Sequence, residues 1–261
     1  MDYTLITGAC GGLGRAFCHE LAAKNERLFL TGRNEEKLTK LKEELQAVFG
    51  VSAIVFSADL TKEEDRKALF LFMETEGIFL CRLVNAAGAD IQKPVLEYTQ
   101  EKIAFQCRVN FEAAVSLCQM AVKRKAKTLE IINVSSVSGI YPMPYFAIYS
   151  ATKRALTNFS IAFREEMKGL GVSVTAILPG AMPTREDIKE QIKGQGIWGR
   201  LAAKTPEFVA KKSLLAAAKN KRVYIPGFWN KMMNFATKLL PLSWKLAFIK
   251  KRWSKISKDA F

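Results

Sequence analysis

Tyr3-Thr-Leu-Ile-Thr-Gly-Ala-Cys-Gly-Gly-Leu-Gly-Arg-Ala-Phe-Cys-His-Glu-Leu21 is the stretch on which the fold turns. Residues 3–6 are aromatic, apolar or β-branched and suit one short strand, whereas Leu13, Phe17 and Leu21 recur at helical spacing and mark an amphipathic helix over 13–24. Between them, Gly8, Gly12 and Gly14 let the backbone turn tightly, come against a pyrophosphate and pack the helix on the strand. The N-terminus of that helix favours negative charge because its first backbone N–H groups have no intrahelical partner. The stretch therefore reads as a strand, phosphate loop and helix.

Further on, apolar runs at 28–31, 53–56, 80–84, 129–134 and 172–178 alternate with helical segments, the pattern of a parallel sheet covered on both faces. A chain of 261 residues that is 49% hydrophobic can bury a large core, and residues 1–261 are expected to form one domain. No repeat or low-complexity tract interrupts it.

Chemistry enters with Tyr149-Ser-Ala-Thr-Lys153, thirteen residues after Ser136. A Tyr and a Lys four apart on a helix share a face, so the ammonium stands near the phenol. Free Tyr titrates near ~10 and free Lys near ~10.4, and a neighbouring cation favours the phenolate. Such a pair can exchange protons with a substrate. Alone, it is also what a chance helix pair looks like.

In combination these residues resemble the short-chain dehydrogenase/reductase family in its classical form, over about the first 225 residues. The cofactor pattern T-G-x-x-x-G-x-G is Thr7 to Gly14, including Leu13; the N-A-A-G segment is Asn85, Ala86, Ala87 and Gly88; the helix Asn is Asn110; the P-G turn is Pro179-Gly180. The resemblance implies a Rossmann-type, doubly wound three-layer sandwich with a seven-stranded parallel sheet. It implies that Tyr149 exchanges a proton with the substrate oxygen, that Ser136 orients that oxygen, and that Lys153 holds the nicotinamide ribose and lowers the Tyr149 pKa. Asn110 would hold a water that leads protons to solvent. Ser135 is the rival for the Ser role, but the thirteen-residue gap favours Ser136, and strand alternation puts the two on opposite faces. A capping or turn serine is the other reading of Ser136.

The cofactor expected is NADP(H). After the second strand comes Gly32-Arg33-Asn34, with no carboxylate for the ribose hydroxyls, and Arg33 can meet a 2′-phosphate. Gly11 stands where some NADP-preferring relatives carry a second basic residue, with Arg15 a substitute or a plain surface residue. Asp59-Leu60 resembles the pair that contacts adenine, although Asp59 could equally flank the following helix. Thr184, after Pro179-Gly180, matches the position that bonds the nicotinamide carboxamide.

Substrate identity is least legible. Residues 180–201 correspond to a loop closing over substrate and contain Met182, Ile188, Ile192, Ile197 and Trp198, with Gly194, Gly196 and Gly199 to permit movement. Residues 139–146, apolar and aromatic, are expected to form a second wall. A small hydrophobic ketone or secondary alcohol, such as a hydroxysteroid, bile acid or fatty-acyl substrate, fits this better than a polyol. A 3-oxoacyl thioester reductase, or a non-catalytic NADP(H)-binding protein at membranes, are the alternatives.

Five cysteines without C-x-x-C spacing point to free thiols in a reducing cytoplasm, and a single His19 with no carboxylate cluster argues against a metal. The first strand leaves no room for a signal peptide, and no apolar run spans a bilayer, so a cytoplasmic protein is expected.

Charge is uneven. Residues 1–188 hold 23 Lys+Arg against 22 Asp+Glu, whereas residues 189–261 hold 17 against 3. Residues 228–255 read as a basic amphipathic extension of two helices split by Pro241, with Leu242, Leu246, Ile249 and Trp253 in one stripe. That stripe suits packing on the enzyme body, a subunit contact, or peripheral attachment to the inner membrane surface. Specific nucleic-acid binding is not expected, because the basic residues interleave with apolar ones and no recognition motif accompanies them. By resemblance, the helices at 100–123 and 148–168 would build a homodimer or homotetramer.

Overall fold

The computed structural model describes residues 2–184, 201–238 and 240–253. Seven parallel strands form one sheet in the order β3-β2-β1-β4-β5-β6-β7. They are β1 Asp2–Thr7, β2 Leu28–Gly32, β3 Ala53–Ser57, β4 Phe79–Asn85, β5 Lys125–Val134, β6 Val172–Ile177 and β7 Val223–Tyr224. The helices are α1 Gly12–Ala22, α2 Glu35–Phe49, α3 Glu63–Thr75, α4 Gln100–Cys107, α5 Ala113–Lys123, α6 Ala147–Glu166, α7 Pro206–Ala218, α8 Phe228–Lys238 and α9 Leu242–Trp253.

Alternation along the strands builds two cores. Ile6, Leu28, Leu30, Val84, Ile132 and Ile177 face α1, α2 and α7, while their neighbours Leu5, Phe29, Leu83, Ile131 and Val174 face α3 and α5. The inner strands β1, β2, β4, β5 and β6 are thus covered on both sides, which is why they read as continuous apolar runs. The chain runs from β1 outward to β3 and then returns to place β4 on the other side of β1. That reversal opens a crevice at the C-terminal ends of β1 and β4, where open parallel sheets bind ligands.

Local chemistry sets the helix ends. Asn34 accepts from the Lys37 N–H and caps α2, which stops at Gly50 in the left-handed region. Thr205 caps α7, with proline in its first turn.

The expected architecture is present, with three differences in detail. β5 begins at Lys125, ahead of the apolar run, because that residue already pairs with Leu80 of β4. The long helix expected over 100–123 is interrupted by a π-helical turn, Arg108–Glu112. In the extension, Leu246 and Ile249 pack against the body, but Leu242, the first residue of α9, is 53% exposed.

Candidate active site

The glycine-rich turn is locked by its neighbours. Gly8 has φ +61°, and a Cβ there would stand 2.9 Å from the Ala87 Cα. A Cβ on Gly14 would stand 2.1 Å from the Gly8 carbonyl oxygen, so α1 starts hard against the turn. The Thr7 hydroxyl accepts from the N–H groups of Ala86 and Ala87 at 3.1 and 3.0 Å, joining the end of β1 to that of β4. Leu13 is buried beneath the loop in the first core. A Cβ on Gly12 would meet the Thr184 side chain at 2.7 Å, so Thr184 lies directly over the loop. The outcome is a backbone-walled cradle beside a helix N-terminus, which suits a pyrophosphate.

Three polar side chains, those of Asn110, Lys153 and Tyr149, lie together next to it. Asn110 lies in the π-helical turn, fully buried, where its Oδ1 accepts from the Ala89 N–H at 2.8 Å and its Nδ2 donates to the Ala89 carbonyl at 2.8 Å. Gly88 is the residue between: a Cβ there would be 2.9 Å from Asn110 Oδ1 and 3.3 Å from Lys153 Nζ. Lys153 is buried, donates to the Val134 carbonyl at 2.9 Å, and has its Nζ 5.8 Å from the centre of the Tyr149 ring. Burial pulls the Lys153 pKa down to about 8, opposed by the Asp90 carboxylate. The Tyr149 ring stacks on Phe146 with centroids 4.4 Å apart.

The serines separate cleanly. Ser135 donates to the Lys153 carbonyl at 2.7 Å and lies 2.7 Å from the Thr157 hydroxyl, so it anchors β5 to α6. Ser136 accepts from the Ser138 N–H at 3.1 Å, capping the short 3₁₀ turn Val137–Gly139. It is a capping serine whose own O–H can still donate. Asn85 donates to Asn133 Oδ1 at 2.8 Å, and Asn133 to Ser160 at 2.9 Å, a buried chain that fixes β4, β5 and α6 together.

On the adenine side, Asp59 Oδ1 accepts from the N–H and hydroxyl of Thr61 at 3.0 and 2.7 Å, so one of its oxygens serves the turn into α3. Leu60 is buried, and its carbonyl accepts from Arg66 at 2.7 Å. Arg66 also pairs with Glu112 of the π-helical turn at 2.6 Å. This link joins residues 46 apart in sequence and leaves no local signal. Arg33 is exposed, with its guanidinium 5.9 Å from the Phe105 ring. Arg15 is exposed and pairs with Glu44. Lys37 was not singled out by sequence; together with Arg15 it opposes the rise that burial imposes on the Cys10 thiol, so its charge acts on the phosphate loop.

Pro179 accepts from the Val137 N–H at 3.0 Å, bringing the turn after β6 beside Ser136. Gly180 lies against Asn230 of α8: a Cβ there would be 2.8 Å from the Asn230 amide nitrogen. Asn230 donates to the carbonyls of Ala202 and Pro226, both at 3.0 Å. Ile188, Ile192, Ile197, Trp198 and the three glycines of the expected lid lie outside the described residues. Residues 139–144 line a cavity of about 510 Å³ together with Ala147, Arg154 and Leu246. Ala147 and Arg154 occupy the side of α6 away from Tyr149 and Lys153, so this segment presents a second surface besides any wall at the site.

Among the described residues, no group of three His, Cys, Asp or Glu is placed to hold a metal. All five cysteines are free thiols.

The sequence model of short chain dehydrogenases matches residues 2–193. A diacetyl reductase, (S)-acetoin forming, from Staphylococcus epidermidis is 31% identical over 184 residues, covering 69% of this chain and 71% of the relative. A very-long-chain 3-oxoacyl-CoA reductase from Bos taurus is 30% identical over 198 residues, covering 70% of this chain and 60% of the relative. Among solved structures, one of a 7beta-hydroxysteroid dehydrogenase superposes with TM-score 0.84 at 25% identity over 95% of this chain and 96% of its own. A short-chain dehydrogenase from Sphingobium yanoikuyae in complex with NADPH gives TM-score 0.75 at 25% identity, covering 92% and 95%.

Proposed function

The chain belongs to the short chain dehydrogenase family, and on that premise we propose that it is an NADP(H)-dependent oxidoreductase for a hydrophobic ketone or secondary alcohol, with a hydroxysteroid or bile acid as the substrate class. The observation that carries the reading is the packing of Asn110, Gly88 and Lys153 against one another, with Tyr149 one helical turn from Lys153.

A bound nicotinamide supplies or accepts the hydride. Tyr149 gives a proton to the substrate oxygen, or takes it in the reverse direction, and the Lys153 ammonium stabilises the phenolate that results. Burial makes Lys153 costly to charge, so neighbouring ribose hydroxyls and the phenolate would favour the protonated form. Ser136 donates its O–H to the substrate oxygen. Because the Asn110 side chain is committed to Ala89, a water carrying protons outward would rest on the backbone carbonyls of the π-helical turn. Gly8, Gly12 and Gly14 would hold the pyrophosphate, Asn85, Ala86 and Gly88 the adjoining sugar side, and Pro179, Gly180 and Thr184 the nicotinamide.

NADP(H) rather than NAD(H) is favoured by the missing carboxylate after β2 and by exposed Arg33. The NADPH complex of the Sphingobium protein agrees with this choice. A 3-oxoacyl thioester is the second substrate reading, favoured by the Bos taurus relative. The half-buried aromatic ridge of Phe111 in the π-helical turn with Phe159 and Phe163 of α6 supports assembly through this side of the molecule into a homodimer or homotetramer.

The test is reduced-cofactor absorbance with NADPH and NADH across steroids, bile acids, bulky ketones and 3-oxoacyl thioesters. Tyr149→Phe should lower turnover by about a thousandfold while leaving NADPH binding intact. Turnover that survives this substitution overturns the catalytic assignment. Equal kcat/KM with NADH overturns the cofactor assignment.

A further inference from the structure

Helix α8 has its polarity inverted. Residues 230, 234 and 237 share one face at helical spacing, and there Asn230 is buried while Asn234 and Thr237 are half-buried. Residues 228, 232 and 235 share the opposite face, and there Phe228 is 71%, Met232 39% and Phe235 68% exposed. A surface helix ordinarily does the reverse. The reason for the inward amide is visible: Gly180 and Gly227 leave space beneath Asn230, which bonds both Ala202 and Pro226. Nothing comparable requires the outward phenylalanines.

Helix α9 continues the pattern on its own terms. It spends Leu246 and Ile249 on the body, and then exposes Trp244 on its other side at 68%. Leu240 and Leu242, which join the two helices, are exposed as well. Isolated exposed apolar residues are ordinary; a run of them along one helix face and into the next element marks a surface that meets something.

The charge says what. Residues 228–253 contain six Lys or Arg and no Asp or Glu. On α8, Lys231 and Lys238 flank the apolar face by helical spacing, and both are exposed. A second copy of the chain docked here about a two-fold axis would set these lysines against their own counterparts with no carboxylate between them. An anionic bilayer complements both parts at once, taking the aromatic side chains at the headgroup boundary and the lysines at its phosphates. No described helix is long and apolar enough to cross a membrane, so the fit is to a helix lying in the interface plane.

We propose that the outward face of α8, continued by Trp244 of α9, docks this protein on an anionic lipid bilayer, with Phe228, Met232 and Phe235 entering the headgroup region. The proposal does not depend on the redox reading and can fail separately from it.

Flotation of the purified full-length protein tests it, using phosphatidylcholine vesicles with and without phosphatidylglycerol, at low and at high salt. The protein should float with the anionic vesicles and be partly released by salt. Phe228→Ser combined with Phe235→Ser should lower the partition coefficient by about tenfold or more, while NADPH titration and thermal melting report an intact fold. Lys231→Glu with Lys238→Glu should remove the preference for phosphatidylglycerol. The proposal is overturned if the full-length protein stays in the bottom fraction with every vesicle, or if the serine variant floats like its parent. It is overturned equally if the serine substitutions halve the mass measured by light scattering, which would make this face a subunit contact.

Discussion

At the ends of β1, β4 and β5, polar side chains are buried and bonded to one another; in α8, polar side chains are also turned inward, but apolar ones are left facing out. The first region is bonded largely to itself, although the buried Asn85 Oδ1 and Gln106 Oε1 have no hydrogen-bond partner among the described residues. Asn110 uses both ends of its amide on Ala89, Ser135 is bonded to the Lys153 carbonyl, and Asn85 is bonded to Asn133. The second leaves apolar rings outside: Phe228, which meets the Trp229 ring edge-on at 5.9 Å, is 71% exposed and Phe235 68%, and the buried Asn234 Oδ1 has no hydrogen-bond partner among the described residues. Buried polar groups bonded to one another point to a site built to hold a fixed geometry. Apolar groups left outside point instead to something the chain has yet to meet.

The sharpest way to break the first half of this comparison is Gly14→Ala. The added methyl has nowhere to go, since the Gly8 carbonyl oxygen stands 2.1 Å from it, so the loop must open. Strain of this kind costs about 3 kcal/mol, and NADPH affinity should fall about a hundredfold by fluorescence titration. An unchanged affinity would mean that the cradle is not the phosphate site.

Next in size comes Lys153→Met. Lys153 binds its proton less tightly when folded, about 8 against 10.5, so between those values the unfolded chain carries the extra proton and stability rises with pH. Below about pH 8 the buried ammonium destabilises the folded protein by roughly 3 kcal/mol. The Met variant should therefore melt higher than its parent near neutrality, with the gap closing toward pH ~10, even though its turnover is lost. A gap that does not change with pH would show that the ammonium is not desolvated in the folded protein.

Much of the first region was legible in the sequence because its signals are local. The Thr7 to Gly14 loop and the Tyr149/Lys153 pair each lie within eight residues, and strand alternation distinguished Ser136 from Ser135. What escaped was non-local. The Arg66 link between Leu60 and Glu112, the approach of Thr184 to Gly12, and Lys37 beside the loop depend on elements that meet only after the sheet has formed. In the extension, periodicity found the stripe of Leu242, Leu246, Ile249 and Trp253, of which Leu246 and Ile249 are packed while Leu242 is exposed. It missed the opposite face of α8, because an apolar stripe is read as facing inward unless something polar is already known to occupy the inside. Asn230 holds that place through Gly180 and Gly227, which are 47 residues apart.

The smallest effects separate the two faces of α8 directly. Asn230→Ala removes donors to two carbonyls that stay buried, and should cost about 1 to 2 kcal/mol in denaturant unfolding. Because Ala202 and Gly180 bracket the segment that the proposed function assigns to the substrate side, KM for substrate should rise more than kcat falls. Phe235→Ser, five residues along the same helix, removes a larger and more apolar side chain, yet should change stability by less than about 0.5 kcal/mol, since Phe235 is already exposed. A contact energy counted by apolar area alone would rank the two the other way round. If Phe235→Ser proves the more destabilising, its ring is covered in the protein as it exists in solution, and the outward face of α8 belongs to an assembly. If the ranking holds, that face is free to meet a surface, and the polar residue beneath it keeps the helix in place.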